Sequence, residues 1–149
     1  KPTDFVKLIS SIVSGFMPYA TQKGLELTFN SSSPFLIVNA DETKFRQVIH
    51  NLVDNAIKYT ESGFVKVEVK EEDSSVLVSV SDSGRGISLE VKERLFQQFF
   101  RERGVAMKTQ GAGLGLYIAK EIVKAHKGEI WVESEGDEKG SRFVIKLNK

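Results

Sequence analysis

Three polar segments stand in fixed order along this chain: Asn51 to Tyr59, Asp82 to Ile87, and Gly111 to Leu116. A single glycine run would constrain little. The ordered set demands a fold that returns separate stretches of one domain to one place, and that place reads as a nucleotide site. The length of 149 residues favours a single domain, 1–149, around one core. Hydrophobic residues at 40% and charged residues at 28% are those of a globular protein. A formal net charge of +1 offers no general attraction for DNA or RNA. The absence of cysteine excludes disulfides, thiolate metal sites and a cysteine nucleophile, and leaves the redox compartment open. No apolar run approaches the roughly 20 residues of a membrane span, and no signal peptide is visible. The chain begins at Lys1, so it reads as a fragment of a longer protein or a processed product.

Between these segments the periodicity is clear. Phe5, Leu8, Ile9, Ile12, Val13, Phe16 and Met17 give a helix over 4–23, with Gly24 as its stop. Leu25, Leu27 and Phe29 alternate as a half-buried strand, and after a turn at 31–34 a second short strand is expected at 35–38. Asp41 can cap a helix at about 42–59. A hairpin follows, 64–69 and 76–81, with its turn at 72–74. Ser88 caps a short helix to about Phe99, a polar stretch covers 101–111, a helix is expected over 113–127 with Gly128 as its stop, and a second hairpin, 130–133 and 141–147, closes the chain. Hairpins beside helices predict an α+β fold, a two-layer α/β sandwich with one mixed sheet covered on one face.

At about 100° per residue from Asn51, Asn55 falls near 40°, Lys58 near −20° and Tyr59 near 80°, all on one face. Ile49, Leu52, Val53, Ala56 and Ile57 take the other side. Carboxamide oxygens are hard neutral ligands, and Mg²⁺ commonly takes one or two protein oxygens and fills its octahedron with water and phosphate. A lysine one turn on can neutralise phosphate, and a tyrosine offers a flat face to a base or sugar. The plain alternative is a solvated helix face. Val76, Val78 and Val80 lead to Asp82, and a carboxylate at a buried strand end needs a donor. The exocyclic amine of adenine is one. Gly84 and Gly86 let the backbone approach a flat ligand; an ordinary Asp-Gly turn is the competing reading. Gly111, Gly113 and Gly115 precede an apolar helix whose N-terminal amides suit phosphate. Leu116 stands where a dinucleotide fingerprint needs glycine and where a P-loop needs lysine, so neither of those motifs applies. Phe96, Phe99 and Phe100 read as a core anchor, and Arg101, Arg103 and Lys108 in the following stretch could close over phosphate as a lid.

Together these residues resemble the ATP-binding catalytic domain of sensor histidine kinases, within the gyrase–Hsp90–kinase–MutL ATPase superfamily. Asn51 to Tyr59 is similar to the family's N box, Asp82 to Ile87 to its G1 box, Phe96 to Arg101 to its F box and Gly111 to Leu116 to its G2 box. Lys139 to Phe143 looks like its closing glycine–hydroxyl–phenylalanine element. The resemblance covers essentially the whole chain and implies a Bergerat-type fold: five strands, three main helices on one face and an ATP lid. It implies ATP and Mg²⁺ as cofactors, with Asn55 on the metal and Asn51 beside it, Lys58 on phosphate and Tyr59 near the nucleotide. Asp82 would accept from the adenine amine, with Gly84, Gly86 and Ile87 shaping the pocket. Arg101 and Lys108 would face phosphate from the lid, Gly111, Gly113, Leu114, Gly115 and Leu116 would bind it through the backbone, and Ser141 would join Asp82 at the base. Asn51, Asn55, Lys58 and Arg101 are the residues implied in catalysis. Two departures are Lys127, where the family often has glycine after the histidine that ends the last helix, and Arg85, at a variable position with no assigned role.

The hydrolytic branches of that superfamily, and the related serine kinases, resemble one another in carrying a glutamate base four residues before the metal asparagine. Here that position is Asn51, whose carboxamide cannot take a proton at neutral pH. Asp54 lies some 60° or more off the face. The expected activity is therefore transfer of the γ-phosphoryl group of Mg·ATP to a histidine on a separate dimerisation domain, in two-component signalling with a response regulator receiver domain. His50, inside the asparagine helix, and His126, at the end of the last helix, lack the family's phospho-acceptor context, so this chain would be the catalytic half alone, inactive without its partner. No nucleic acid partner is expected. The isolated domain is expected to be monomeric and cytoplasmic, with a parent protein that can be membrane-anchored. The alternatives are a non-catalytic nucleotide-binding module and a superfamily ATPase or anti-sigma-type serine kinase.

Overall fold

The computed structural model describes residues 1–84, 115–134 and 140–149. A short strand, β1 (Pro2–Asp4), leads into helix α1 (Phe5–Lys23). Asp4 caps that helix by accepting the N–H groups of Val6 and Lys7, and Gly24 ends it in a left-handed conformation. Strands β2 (Leu25–Ser31) and β3 (Ile37–Asn39) follow. Helix α2 (Glu42–Lys58) is capped by Asp41, which accepts from Lys44 N–H at 3.1 Å. Strands β4 (Gly63–Glu71) and β5 (Ser75–Asp82) form the first hairpin. Helix α3 (Gly115–Ala125) and strands β6 (Glu129–Glu133) and β7 (Ser141–Asn148) complete the described chain.

Five strands form the main sheet in the order β2-β4-β5-β7-β6. β2 runs parallel to β4 and the other neighbours are antiparallel, so the sheet is mixed. A parallel pair needs a long crossover, and the segment holding β3 and α2 provides it. The expected strand at 35–38 does exist, shifted to 37–39, but it lies outside this sheet. β3 pairs antiparallel with β1 in a separate ribbon, Thr3 opposite Val38. β1 itself carries no apolar alternation and has no counterpart in the sequence reading.

Val65, Val67 and Val69 of β4, Val76, Val78 and Val80 of β5, and Phe143, Ile145 and Leu147 of β7 are buried on one face. Phe45, Ile49, Leu52, Val53 and Ile57 of α2 are fully buried in the same core. Helix α1 packs along β2 and α2, and α3 along α2 and β6. On the opposite face Lys66 of β4 is exposed, and Glu68, Arg142 and Lys146 are half-buried. No described helix is long and apolar enough to cross a membrane.

Both histidines make contacts between elements. His50 packs its ring on Phe16 of α1, centroids 4.8 Å apart. His126 joins two helices: Nδ1 donates to the Ile122 carbonyl at 2.8 Å, and Nε2 accepts the Asp41 N–H at 3.1 Å. Its ring stands edge-on to Phe45 at 4.6 Å. The end of α3 is thereby fastened to the cap of α2. Helix α3 stops at Ala125, and the residue beyond it with positive φ is Lys127 at 60°, not the expected stop Gly128.

Candidate functional site

Helix α2 divides its residues as its periodicity requires. Leu52, Val53, Ala56 and Ile57 are buried, whereas Asn51, Asn55, Lys58 and Tyr59 are half-buried on the other side. The Lys58 ammonium pairs with Asp54 Oδ2 at 3.0 Å, one turn back. Asp54 is thus off the asparagine face by its backbone angle, yet it holds the lysine of that face. Asn51 Nδ2 donates to the Gly115 carbonyl at 3.4 Å, which joins α2 to the first residue of α3. The C-terminal carbonyls of α2 are covered by Lys23 from the end of α1, whose Nζ donates to Ile57 O at 2.7 Å and Lys58 O at 3.3 Å. A cation there also suits the helix dipole.

Asp82 lies on the core face of β5, opposite Val65 on one side and Ser141 on the other. It is buried, with 9% of its surface exposed. Oδ1 accepts from Gly84 N–H at 2.9 Å and Oδ2 from the Ser141 hydroxyl at 2.8 Å. Burial pushes its carboxyl pKa up, and the bonds from Gly84 and Ser141 pull against that shift. Gly84 fits only because it has no side chain: a Cβ would stand 2.7 Å from the Tyr59 carbonyl and 2.8 Å from Thr60 Oγ1. Gly140 N–H donates to Gly84 O at 3.2 Å. At Gly140 a Cβ would run into the Asp82 carbonyl.

Four separated stretches therefore meet: the end of α2, the turn after β5, the start of β7 and the first turn of α3. Among the residues expected at the site, Asn51, Asn55, Lys58, Tyr59, Asp82, Gly84, Gly115, Leu116 and Ser141 are described. The Asn51 side chain reaches Gly115, the Tyr59 backbone carbonyl abuts Gly84, and Ser141 bonds Asp82. Gly86, Ile87, Arg101, Lys108, Gly111, Gly113 and Leu114 lie outside the described residues, as do Arg85, Arg103, Lys139 and the helix expected over 88–99. Sequence reading passed over Thr60, which is fully buried beside Gly84 without a hydrogen-bond partner among the described residues. A polar residue directly after the asparagine helix was the available signal. Asp54 entered that reading only as a rejected base.

Among the described residues no three His, Cys, Asp or Glu side chains gather to form a metal cage. A hard cation here would take carboxamide oxygen, water and ligand phosphate, which Asn51 and Asn55 suit.

Residues 40–149 match the model of the family described as histidine kinase-, DNA gyrase B-, and HSP90-like ATPase. The chain is 38% identical over 147 residues to the sensor histidine kinase WalK of Bacillus subtilis (strain 168), matching 95% of its own length and 24% of that protein's. It thus spans about a quarter of that relative. The nucleotide-free catalytic domain of the histidine kinase ThkA superposes with a TM-score of 0.89 at 34% identity, over 100% of this chain and 95% of that one. ThkA has also been solved in complex with the response regulator TrrA, where the TM-score is 0.84 at 31% identity, over 100% of this chain and 41% of that one. ShkA, solved full-length with AMPPNP, gives a TM-score of 0.87 at 32% identity, over 99% of this chain and 30% of that one. On this fold, these matches and this ordered site, the chain belongs to the histidine kinase-, DNA gyrase B- and HSP90-like ATPase family, on the branch of the histidine kinase catalytic domains.

Proposed function

We propose that this domain binds Mg·ATP and transfers its γ-phosphoryl group to a histidine on a separate dimerisation domain, from which a response regulator receiver domain is served. The observation that carries this reading is Asn51. It occupies the position where the hydrolytic branches resemble one another in having a glutamate, and its carboxamide bonds the Gly115 carbonyl and cannot act as a base. Such a domain can position phosphate and neutralise its charge, while the nucleophile comes from elsewhere.

The Asn55 carboxamide oxygen, with Asn51 beside it, would hold Mg²⁺, which would supply positive charge against phosphate. Lys58 would exchange Asp54 for phosphate. Tyr59 would lie against the nucleotide. The Asp82 carboxylate, fixed by Gly84 and Ser141, would accept the amine of adenine, with Gly86 and Ile87 completing the pocket. Arg101 and Lys108 would face phosphate from the lid, and Gly111 to Leu116 would meet it with backbone N–H groups. The ThkA–TrrA complex and the AMPPNP bound to ShkA support this reading by likeness.

The test supplies labelled ATP, the domain, and the purified dimerisation domain of the same parent protein. Label on a histidine of that domain is expected, lost with Asn55→Ala. Label on serine, or ATP hydrolysis by the isolated chain without any acceptor, counts against it.

A further inference from the structure

Thr60 has no exposed surface, yet its Oγ1 has no hydrogen-bond partner among the described residues. Buried donors without acceptors are rare and destabilising. The surroundings are not apolar core. Thr60 Oγ1 and Asp82 Oδ1 press on one face of Gly84, 2.8 and 2.9 Å from the point where a Cβ would sit, with the Tyr59 carbonyl at 2.7 Å. The remaining donors of this corner are committed: Gly84 N–H to Asp82 Oδ1, the Ser141 hydroxyl to Asp82 Oδ2, and Gly140 N–H to Gly84 O. The uncommitted donor thus sits beside the carboxylate read above as the base acceptor. Violations of polar satisfaction concentrate at functional sites.

We propose that Thr60 is a positioning residue for base recognition, its hydroxyl donating to the Asp82 carboxylate when a 6-amino purine engages that carboxylate. This rests on the reading of Asp82 as the acceptor for the base. A carboxylate offers about four acceptor directions. The Gly84 N–H and the hydroxyl and N–H of Ser141 already lean on it, and the purine amine and the Thr60 hydroxyl would share what remains. Each donor opposes the upward push that burial gives its pKa, and in its ionised form the group is an acceptor only. An acceptor-only group pairs with a 6-amino purine and repels the oxygen of a 6-oxo purine. Among the described residues the Thr60 hydroxyl has no acceptor, and it would gain one in the complex, so its removal acts on stability and on affinity with opposite signs.

Calorimetric titration of the whole domain tests this with Thr60→Val, which keeps the shape and deletes the hydroxyl, and Thr60→Ser, which keeps the hydroxyl. The ligands are Mg·ATP and the purine riboside triphosphate that lacks the 6-amino group. Thr60→Val is expected to bind ATP about tenfold more weakly, Thr60→Ser as the wild type, and all three to bind the amine-free triphosphate alike. Without nucleotide, Thr60→Val is expected to melt at or above the wild-type temperature. Unchanged ATP affinity in Thr60→Val overturns the proposal. So does equal weakening towards both triphosphates, a Thr60→Ser as weak as Thr60→Val, or a Thr60→Val that melts well below the wild type. Asp82→Asn separates the two levels. If it leaves ATP affinity unchanged, the base-site reading itself fails; if it weakens ATP while Thr60→Val does not, only the role of Thr60 is lost.

Discussion

Asp82 ends β5 on the face that carries Val76, Val78 and Val80, so its carboxylate enters a region dried by the sheet. Burial raises its pKa, and the folded chain therefore binds this proton more readily than the unfolded chain. Its contribution to stability is full at pH below the ordinary carboxylate value and is lost as pH rises through the raised one. Asp82→Asn is accordingly expected to melt higher than the wild type at neutral pH, with the gap closing in acid, while ATP affinity falls by at least about 1 kcal/mol because a buried acceptor is altered. Thermal melts across pH, paired with calorimetric titration, check both signs. Lys127 gives a second prediction free of any ligand. Its φ of 60° lies in the left-handed region, where a side chain costs about 1 kcal/mol relative to glycine. Lys127→Gly should raise the melting temperature by about 4 °C and leave ATP affinity unchanged. Sequence alone identified the lysine as a departure, but the positive φ was expected at Gly128. A helix stop is signalled by a glycine, while the left-handed residue is chosen by how β6 leaves the helix.

Elements with internal signals were legible, and elements defined by their partners were not. Helices α1 and α2 show their own apolar stripes and aspartate caps, and the β4–β5 and β6–β7 hairpins show alternation broken by turn residues. β1 is three residues long and is a strand only because Thr3 and Asp4 pair with β3. Nothing local distinguishes β3 from a main-sheet strand, so its displacement into a ribbon was hidden. The same distinction holds at the site. The asparagine face could be read from helical spacing, whereas the contact of Asn51 with Gly115 is tertiary. His126 makes another such contact between elements: it ties α3 to the cap of α2 through Asp41 and leans on Phe45. His126→Ala should cost about 2 kcal/mol of stability, from two lost hydrogen bonds and one lost ring contact. Denaturant unfolding measures this, and a loss under about 0.5 kcal/mol would show that the link between helices carries little. On α2 itself, the Asp54–Lys58 pair is an i,i+4 bridge of the kind worth about 0.3–0.5 kcal/mol. So weak a bond would yield readily to phosphate, as the role proposed for Lys58 requires.

At the scale of the whole molecule, the site ties together stretches that the sheet order keeps apart. α2 supplies the amide face, β5 the buried carboxylate, β7 the serine beside it, and α3 the backbone that Asn51 reaches. A ligand touching all four stabilises the domain as a unit, and only the folded chain can bind it. At one hundred times its dissociation constant such a ligand adds about 2.7 kcal/mol, an upward shift on the order of 10 °C for a domain of this size. Among the described residues no acidic cage gathers, so the proposed metal site relies on carboxamide, water and phosphate. The thermal shift with ATP should therefore shrink when Mg²⁺ is chelated, and Mg²⁺ without nucleotide should shift nothing. In Asn55→Ala the shift with ATP should become independent of Mg²⁺, because the protein's part of the coordination is gone. An equal shift with and without Mg²⁺ in the wild type would remove Asn55 from the metal and return the asparagine face to an ordinary solvated helix surface.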